Sequence, residues 1–360
     1  MDLALFVLFI VVIAGLAFEY INGFHDSANA IATVVSTKVL TPRQAVIYAG
    51  FFNLVGAFSG VGVAKTISSG LLVHSYAPTQ IVIFCALLAA IIWNLITWVF
   101  AIPSSSSHAL IGGLLGSAMV GSGLGAKVVD FFGDPHKGYF IHKQLPFFHN
   151  VYLEWPKSGL MGKVIIPMFL SPLIGVIVGF FIMVLLLWMF AKANPEKINK
   201  WFRKSQLLSS GVMAFSHGSN DAQKTMGILT LALLSYGFVH NNDIPMYVVA
   251  ACAVTMGLGT MAGGWKIIRT MGSKVITLKP IHGFAAETAA AGVILTASHF
   301  GMPISTTHVI STSIMGVGAT KGAGALKWNL ISRIVTAWVV TIPACMIISG
   351  LAFYIIQRVF

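Results

Sequence analysis

Charged residues are scarce in this chain: only 9% of its 360 residues are Asp, Glu, Lys or Arg, whereas a soluble domain carries roughly a quarter. With 57% hydrophobic residues, the chain has too few polar groups to cover its surface in water, which excludes a soluble globular fold. Its apolar residues recur in runs of about 20, the length at which a helix crosses the hydrocarbon core of a bilayer. The sequence therefore predicts a multi-pass membrane protein.

Acidic residues are the scarcer charge type, with 10 Asp and Glu against 22 Lys and Arg. In a soluble protein this excess would suggest a nucleic-acid partner. Here the basic residues lie mostly in short connections between apolar runs, where they set membrane orientation. We therefore expect no nucleic-acid binding, and we expect the basic segment 192–204 to lie on the cytoplasmic side of the membrane.

Cysteine is nearly absent as well. The three cysteines, Cys85, Cys252 and Cys345, lie far apart in apolar runs, so they predict neither a disulfide framework nor a metal site. The sequence contains no Walker loop, Rossmann fingerprint, metalloprotease motif or potassium-channel filter. These absences exclude an ATP-driven pump and a potassium channel, and the lack of a nucleophile–base pair argues against an enzyme. No cofactor or resident metal is expected.

The apolar segments are expected to be helical, because hydrocarbon cannot satisfy backbone polar groups. Four of them are short for a membrane crossing and predict half-helices or re-entrant hairpins: 24–40, 105–121, 206–219 and 304–320. We expect an all-α polytopic fold with about 10–12 membrane segments. Its regions would be a first repeat over 1–191 with a hairpin near 103–121 and a loop over 122–163, a basic linker over 192–204, and a second repeat over 205–360 with a hairpin near 303–320. The histidines of the loop fit no ligand spacing and predict a solvated face.

Two polar motifs each occur twice in the chain. PSSSSH at 103–108 matches PISTTH at 303–308, and NGFHD at 22–26 parallels HGSND at 217–221. We interpret this as an internal duplication, and duplicated halves with broken helices are typical of secondary transporters. If the repeats are inverted, each half crosses the membrane an odd number of times, and we count five crossings per half. That topology leaves the basic segment 264–280 outside, against the positive-inside rule.

Hydroxyl side chains follow Pro103 and Pro303, and each cluster precedes a Gly-containing apolar run. This pattern places hydroxyls and free N–H groups at two helix N-termini, which favour anions. Helix capping alone would need one hydroxyl at each end. A tetrahedral oxyanion such as phosphate or sulfate suits two facing ends of this kind. The candidate anion ligands are Ser105, Ser106, Ser107, Ser305, Thr306 and Thr307, and the roles of His108 and His308 stay open between ligand, proton carrier and structural hydrogen bond.

Carboxylates inside apolar segments mark ion or proton pathways by default. Asp26 and Asp221 are matched between the repeats and flanked by Gly and Asn, which favours function over a capping role. Glu287 lies in an otherwise apolar helix and is a third candidate, whereas Glu19 lies near a predicted helix end, where function and a simple interfacial position are equally supported. Lys224 is three residues from Asp221, on the same helical face. Its ammonium can occupy the place of a bound cation near the anion.

At these residues the chain resembles the inorganic phosphate transporter (PiT) family of phosphate symporters. The matching stretches cover both halves: GFHDSANAIATVV at 23–35, PSSSSHALIG at 103–112, SHGSNDAQKTMGI at 216–228 and GMPISTTHVISTS at 301–313. The resemblance implies twelve helical segments, with phosphate between two hairpins and coupling-ion sites beside it. It places Asp26, Asn29, Asn220 and Asp221 on the signature polar positions.

Two departures from this family bear on the coupling ion. Sodium-coupled members usually carry Asn at both signature positions, where this chain has Asn29 but Lys224, and they often carry an acidic residue where this chain has Asn53. Fewer oxygen ligands weaken a second sodium site. The signature motifs are also more similar in sequence to those of the proton-coupled bacterial branch. Glu287, in contrast, favours sodium as the coupling ion.

We predict import of inorganic phosphate with protons, taken up as the free anion or as a metal–phosphate complex. Sodium coupling, a sulfate permease on the same fold and a passive anion channel are the alternatives. The expected partners are phosphate, H⁺ or Na⁺ and the lipid bilayer, with homodimer formation left open.

Overall fold

The protein is described by a computed structural model, which covers residues 3–69, 78–123, 140–145, 148–156, 161–241, 243–274 and 277–359. The first half contains helices α1 Leu3–His25, α2 Ser27–Ser36, α3 Pro42–Ala57, α4 Gly62–Ser69, α5 Gln80–Val99, α6 Ser106–Gly121 and α7 Ile166–Met189. The second half contains α8 Pro195–Tyr236, α9 Met246–Ala262, α10 Trp265–Arg269, α11 Pro280–His299, α12 Thr306–Ala319 and α13 Trp328–Val359. The predicted helical fold is confirmed.

Residues 122–163 contain the exception to this helical architecture. Strands β1 Phe140–Leu145 and β2 Phe148–Pro156 pair antiparallel, with Phe140 opposite Pro156. A π-helical turn, Met161–Ile165, then leads into α7. The predicted loop therefore includes a β-hairpin. The expectation of a solvated histidine face falls partly on residues 124–139, which lie outside the described part of the chain.

Length and composition identify four described helices that can cross a membrane, or six if each of two bent helix pairs counts as one span. The bent pairs are α3–α4, with an angle of 70°, and α9–α10, with an angle of 60°. If α1–α2 and each bent pair count as one segment, the helices listed above form ten segments, within the predicted range. The chain is a multi-pass membrane protein.

The two ends of the molecule are defined by contacts between distant segments. At the end that carries the 192–204 linker, Arg203 Nη2 donates to the Lys38 carbonyl at 2.7 Å. Lys321 Nζ donates to the Thr277 carbonyl at 3.1 Å. Residues at the start of α11 line a surface groove there together with the end of α7 and the start of α8. At the far end, the Gln80 amide donates to the Ala232 carbonyl at 2.6 Å.

These contacts correct the predicted topology. The segment that precedes α11, including Lys279, lies at the linker end and not at the opposite end. Lys279 therefore lies with the basic linker, as the positive-inside rule favours, whereas Lys266 lies over the Trp98 ring near the end of α5. The count of five crossings per half stays a prediction. By length and composition, the candidate spans among the described residues are α1–α2, α5, α7 and α13, together with the bent pairs α3–α4 and α9–α10.

The predicted helix break near 206–219 is also wrong. Helix α8 runs for 42 residues without interruption, from the basic linker through both polar signature residues. Asn194 caps its start by accepting from the Glu196 N–H at 2.9 Å. The polar residues in its middle do not break the helix because neighbouring helices supply their partners; Ser59, for example, donates to Ser219 at 2.7 Å. In the first half the break is confined to Asp26, between α1 and α2.

The segments 103–121 and 303–320, predicted to form whole hairpins, each contain one helix that is the second limb of a hairpin. Helices α5 and α6 form hairpin 1, which begins at the far end, and helices α11 and α12 form hairpin 2, which begins at the linker end. Their turns contain Ala101 and Gly301, both with positive φ (54° and 66°). Helix α6 packs on α13, and α12 packs on α7. Each contact depends on a glycine, since a Cβ at Gly316 would collide with the backbone of α7.

Candidate functional site at the hairpin tips

The tips of the two hairpins meet in the interior and have matching local structure. Ser105 caps α6 and Ser305 caps α12, each accepting from the backbone N–H three residues later, of His108 and His308, at 3.2 Å. Both serines are buried. The Ser107 hydroxyl lies 3.4 Å from the Ile304 carbonyl, so the tips are in direct contact. Two helix N-termini, each with a partial positive charge, are thus directed at one buried region.

Lys224 connects the two tips. Its ammonium contacts the Asp221 carboxylate, as the three-residue spacing predicted, and donates to the Ser107 hydroxyl of hairpin 1 at 2.5 Å and to the Ile304 carbonyl of hairpin 2 at 2.8 Å. Its side chain is only 4% exposed. Carboxylate, hydroxyl and carbonyl oxygens are the ligands of a hard cation, so this ammonium sits where a cation would be bound.

Asp221 is the most connected carboxylate of the site. Besides Lys224, it accepts from the Thr306 hydroxyl at 2.8 Å and lies 3.1 Å from His217 Nε2. His217 Nδ1 in turn lies 3.0 Å from Asn53, whose amide donates to Thr260 at 2.8 Å. Because Asp221 lies inside a continuous helix, it cannot act as a helix cap.

Asp26 occupies the corresponding position of the first half, with a different partner. Its carboxylate lies 2.7 Å from His25 Nδ1, and His25 Nε2 lies 3.0 Å from the Thr97 hydroxyl. The Ser104 hydroxyl donates to Thr97 at 2.8 Å, which links Asp26 to hairpin 1. Asp26 precedes α2 but makes no side-chain capping hydrogen bond. The capping interpretation is therefore not realised for either aspartate.

Asp26 and Asp221 also come together with His217. One ligand atom from each lies within 4.8 Å of the others, and all three side chains are buried. Two carboxylates and an imidazole can hold a cation, including a divalent metal. No metal was expected from the sequence, because these residues are about 190 positions apart. The available signal was the i, i+4 spacing of His217 and Asp221 together with the repeat that matches Asp26.

The two signature asparagines hold the tip of hairpin 2. Asn29 donates to the Thr307 hydroxyl at 2.9 Å and to Thr306 at 3.3 Å, and Asn220 donates to the Ser298 hydroxyl at 2.8 Å. The side-chain oxygen of each amide is buried and has no hydrogen-bond partner. The Ser106 hydroxyl of hairpin 1 is likewise buried without a partner. Buried polar atoms of this kind normally have a partner, so they are available to a ligand.

Glu287 is the one predicted site residue that does not join this cluster. It accepts from Thr33 at 2.5 Å and from Gln206 at 3.0 Å through one oxygen, and from Ser209 through the other. These partners belong to α2 and the first part of α8, nearer to the linker end than Asp221. The structure thus forms two separate polar clusters, of which only one lies at the hairpin tips.

Three aromatic side chains pack against one another at the tips: His108, His308 and Trp338. The rings of His108 and His308 pack edge-to-face with their centroids 4.6 Å apart. Trp338 of α13 stacks on His308 at 3.9 Å and donates to the Pro103 carbonyl at 3.2 Å. The two histidines therefore lie between the hairpins, with a packing role in this conformation. The involvement of Trp338 and His25 was not predicted.

A helical membrane protein whose hairpins meet at a buried site of hydroxyls, amides and paired charges is a transporter for a small ion, and not an enzyme. A model of the phosphate transporter family matches residues 22–349, and the chain belongs to this family. The family resemblance inferred from the sequence is confirmed.

Individual relatives agree with this assignment. The chain is 41% identical to a protein of Bacillus subtilis (strain 168) over the full length of both chains. It is also 41% identical to a protein of Rhizobium meliloti (strain 1021), over 94% of this chain and 93% of the other. Both carry the name "Probable low-affinity inorganic phosphate transporter". In fold, the chain is similar to a solved structure titled "The sodium-dependent phosphate transporter", with a TM-score of 0.82, 23% identity and coverage of 98% of this chain and all of the other.

Proposed function

We propose that this phosphate transporter imports inorganic phosphate in symport with protons across a bacterial inner membrane. The observation that carries the proposal is Lys224, whose buried ammonium joins Asp221 to both hairpin tips. It supplies a fixed positive charge where the two helix N-termini already favour an anion. Phosphate would bind beside this ammonium.

The phosphate ligands we propose are the hydroxyls and backbone N–H groups at the tips. The Ser107 hydroxyl contacts the other hairpin, the Thr306 hydroxyl donates to Asp221, the Thr307 hydroxyl accepts from Asn29, and the Ser106 hydroxyl is buried without a partner. Ser105 and Ser305 accept as helix caps, so their own contribution would come from the hydroxyl proton. Donors from both sides fit a tetrahedral oxyanion better than a sugar or a cation.

Proton coupling is supported by the way in which Lys224 is held. A carboxylate, a hydroxyl and a carbonyl surround its ammonium, which leaves less room for a second sodium ion beside the phosphate. Asp26 and Asp221 would both bind positive charge, exchangeable at Asp26 and supplied at Asp221 by Lys224, with the free amide oxygens of Asn29 and Asn220 nearby. Neutralising these acids lets an anion approach, and this requirement couples the two fluxes. Glu287 would serve as a further ion or proton position on hairpin 2.

A metal–phosphate complex is the second candidate substrate, and one observation favours it. The buried trio of Asp26, His217 and Asp221 has the donor types of a divalent-cation site. A divalent ion bound there would neutralise both carboxylates and enter with the phosphate. Sodium would be the coupling ion if the trio bound a monovalent cation instead.

The two halves would operate as inverted repeats. Hairpin 1 begins at the far end and hairpin 2 at the linker end, which supports opposite orientations of the two halves. Alternating access would then follow from rocking of the two bundles around the fixed site between the tips. The basic linker would lie in the cytoplasm.

The test is phosphate uptake by the purified full-length protein in proteoliposomes, with proton, sodium and magnesium gradients imposed one at a time. Proton-coupled import requires labelled phosphate to accumulate when only a proton gradient is present. Accumulation driven by sodium alone would contradict proton coupling, and equilibration that ignores every gradient would indicate a passive channel. Stronger competition by sulfate than by phosphate would identify a sulfate permease.

A further inference from the structure

Glu19 is a buried carboxylate that the phosphate site described above does not use. It lies on α1 with no solvent-exposed surface. Its nearest partner on another helix is Thr225, the residue that follows Lys224 on α8. The sequence left Glu19 undecided between a functional and an interfacial position. Complete burial excludes the interfacial one.

The hydrogen bonds of Glu19 are incomplete. The Thr225 hydroxyl donates to Oε2, whereas Oε1 is buried and has no hydrogen-bond partner. One helical turn further along α1, the Oδ1 atom of Asn22 is also buried without a partner. Two acceptor oxygens without a donor therefore lie close together on one face of the same helix.

Glu287 is a buried carboxylate whose two oxygens both accept hydrogen bonds, which stabilise its ionised form. Thr33 and Gln206 donate to one of its oxygens, and Ser209 donates to the other. Glu19 has Thr225 as its donor from another helix and the neutral side chain of Asn22 beside it on α1, and among the described residues no basic side chain forms an ion pair with it. An ionised carboxylate only accepts hydrogen bonds, whereas a protonated one also donates. A proton on Oε1 would supply the donor that this pair of oxygens lacks.

We propose that Glu19 is a proton-binding site of the transporter, occupied in the conformation described here. The inference rests on the proposed proton-coupled import. It identifies a proton carrier outside the proposed phosphate site, where α1 contacts Thr225 of α8. The titratable and charged groups that face Glu19 are Asp221 and Lys224 from α8 and Cys252 from α9.

Electrostatics connects this proton to phosphate binding. Asp221 and Lys224 already form an ion pair, and both interact with the charge on Glu19. An ionised Glu19 would add a second negative charge behind Lys224 and weaken the attraction of that ammonium for phosphate. A protonated Glu19 leaves this attraction intact. Because such coupling is reciprocal, bound phosphate would in turn favour the proton on Glu19, and the two would move together.

The experiment compares two transport modes of the full-length protein in proteoliposomes with the membrane potential clamped at zero. Glu19→Gln mimics the permanently protonated state. We expect this variant to keep phosphate exchange at equal pH on both sides, at a rate comparable with that of the wild type. Accumulation driven by an inward proton gradient should be lost, so that the ratio of internal to external phosphate stays near one. Glu196→Gln, an exposed glutamate at the start of α8, is the matched control and should accumulate normally.

Two further measurements keep the inference falsifiable if Glu19→Gln does not fold. Glu19→Asp retains a titratable group, so this variant should accumulate phosphate when a proton gradient is imposed. Infrared difference spectra of the wild type, recorded with and without phosphate, should contain a protonated-carboxyl band that Glu196→Gln keeps and Glu19→Asp shifts. Proton-driven accumulation by Glu19→Gln at the wild-type level, or a band unchanged in Glu19→Asp, would overturn the role of Glu19 while leaving phosphate import intact. Absence of proton-driven uptake in the wild type would instead contradict the proposed function itself.

Discussion

The two halves of the molecule carry the same polar motifs but balance their aspartates differently. In the first half, Asp26 contacts His25, whose charge depends on protonation. In the second half, Asp221 contacts His217 and also Lys224. The residue of the first half that corresponds to Lys224 is Asn29, a neutral amide that holds hairpin 2.

This difference shows how a duplicated scaffold can serve a directional process. Both halves supply a helix N-terminus capped by serine, so a proposed anion between the tips would meet nearly symmetric donors. The positive charge is not symmetric, because the second half carries a tethered ammonium and the first half does not. We infer that the exchangeable cation belongs to Asp26 and the permanent one to Asp221. The following predictions test this inference.

The largest effect is expected from Asp26→Asn. The substitution leaves the shape of the side chain nearly unchanged but removes the exchangeable charge and the ionic partner of His25. Breaking a buried pair of charged groups in this way costs about 3–5 kcal/mol. This corresponds to a factor of roughly 100 or more in an equilibrium constant. Uptake of labelled phosphate against a gradient should therefore be abolished, although the protein still inserts into the membrane.

Asp243→Asn provides the control for this prediction. Asp243 pairs with Lys65 at the surface, 76% exposed, where ion pairs contribute about 0–1 kcal/mol. Its replacement should leave uptake unchanged. Wild-type uptake by Asp26→Asn would refute the assignment of the exchangeable charge to the first half.

The next effect concerns Lys224→Asn, which makes the second half resemble the first. Asp221 would lose its fixed counter-ion, so phosphate uptake without sodium should fall by roughly 100-fold. The vacated position keeps three oxygen ligands, from Asp221, Ser107 and Ile304, and gains the amide of the new asparagine. We therefore expect added sodium, but not choline, to restore part of the uptake.

Lys224→Met separates the loss of charge from the gain of a cation site. It removes the ammonium without supplying a ligand oxygen, so sodium should not restore uptake in this variant. Equal rescue of Lys224→Asn and Lys224→Met by sodium, or rescue of neither, would show that the ammonium does not stand in for a bound cation. Thermal stabilisation by sodium of Lys224→Asn, but not of Lys224→Met, would support a cation site at this position without a transport assay.

The starts of α6 and α12 could be predicted from the sequence because their signals are local. Proline, then hydroxyls, then an apolar run containing glycine is a helix start that needs no distant partner, and Ser105 and Ser305 cap their helices as the pattern indicates. The i, i+3 pairing of Lys224 with Asp221 is local in the same sense.

The parts that could not be predicted depend on partners far away in the chain. The short apolar segment 206–219 suggested a half-helix, but α8 continues past it because neighbouring segments satisfy its polar residues: Gln223 accepts from the Val63 N–H at 2.8 Å. The position of Glu287 relative to the hairpin tips is set by Thr33 and Gln206, which no spacing rule connects to it. The approach of Asp26 to His217 likewise requires the packing of α2 against α8.

The smallest effect, and the sharpest test of symmetry, is expected from Ser105→Ala and Ser305→Ala. Loss of a capping hydroxyl costs about 1 kcal/mol, and the two caps have the same geometry, so thermal unfolding in detergent should show equal destabilisation. Ser332→Ala, on the exposed face of α13, should change stability by less than about 0.5 kcal/mol. If capping is the whole role, phosphate affinity should be kept in both variants. A loss of affinity in only one of them would show that the hydroxyl proton of that serine binds phosphate. The hydrogen-bond donors to phosphate would then differ between the two halves, as the charges do.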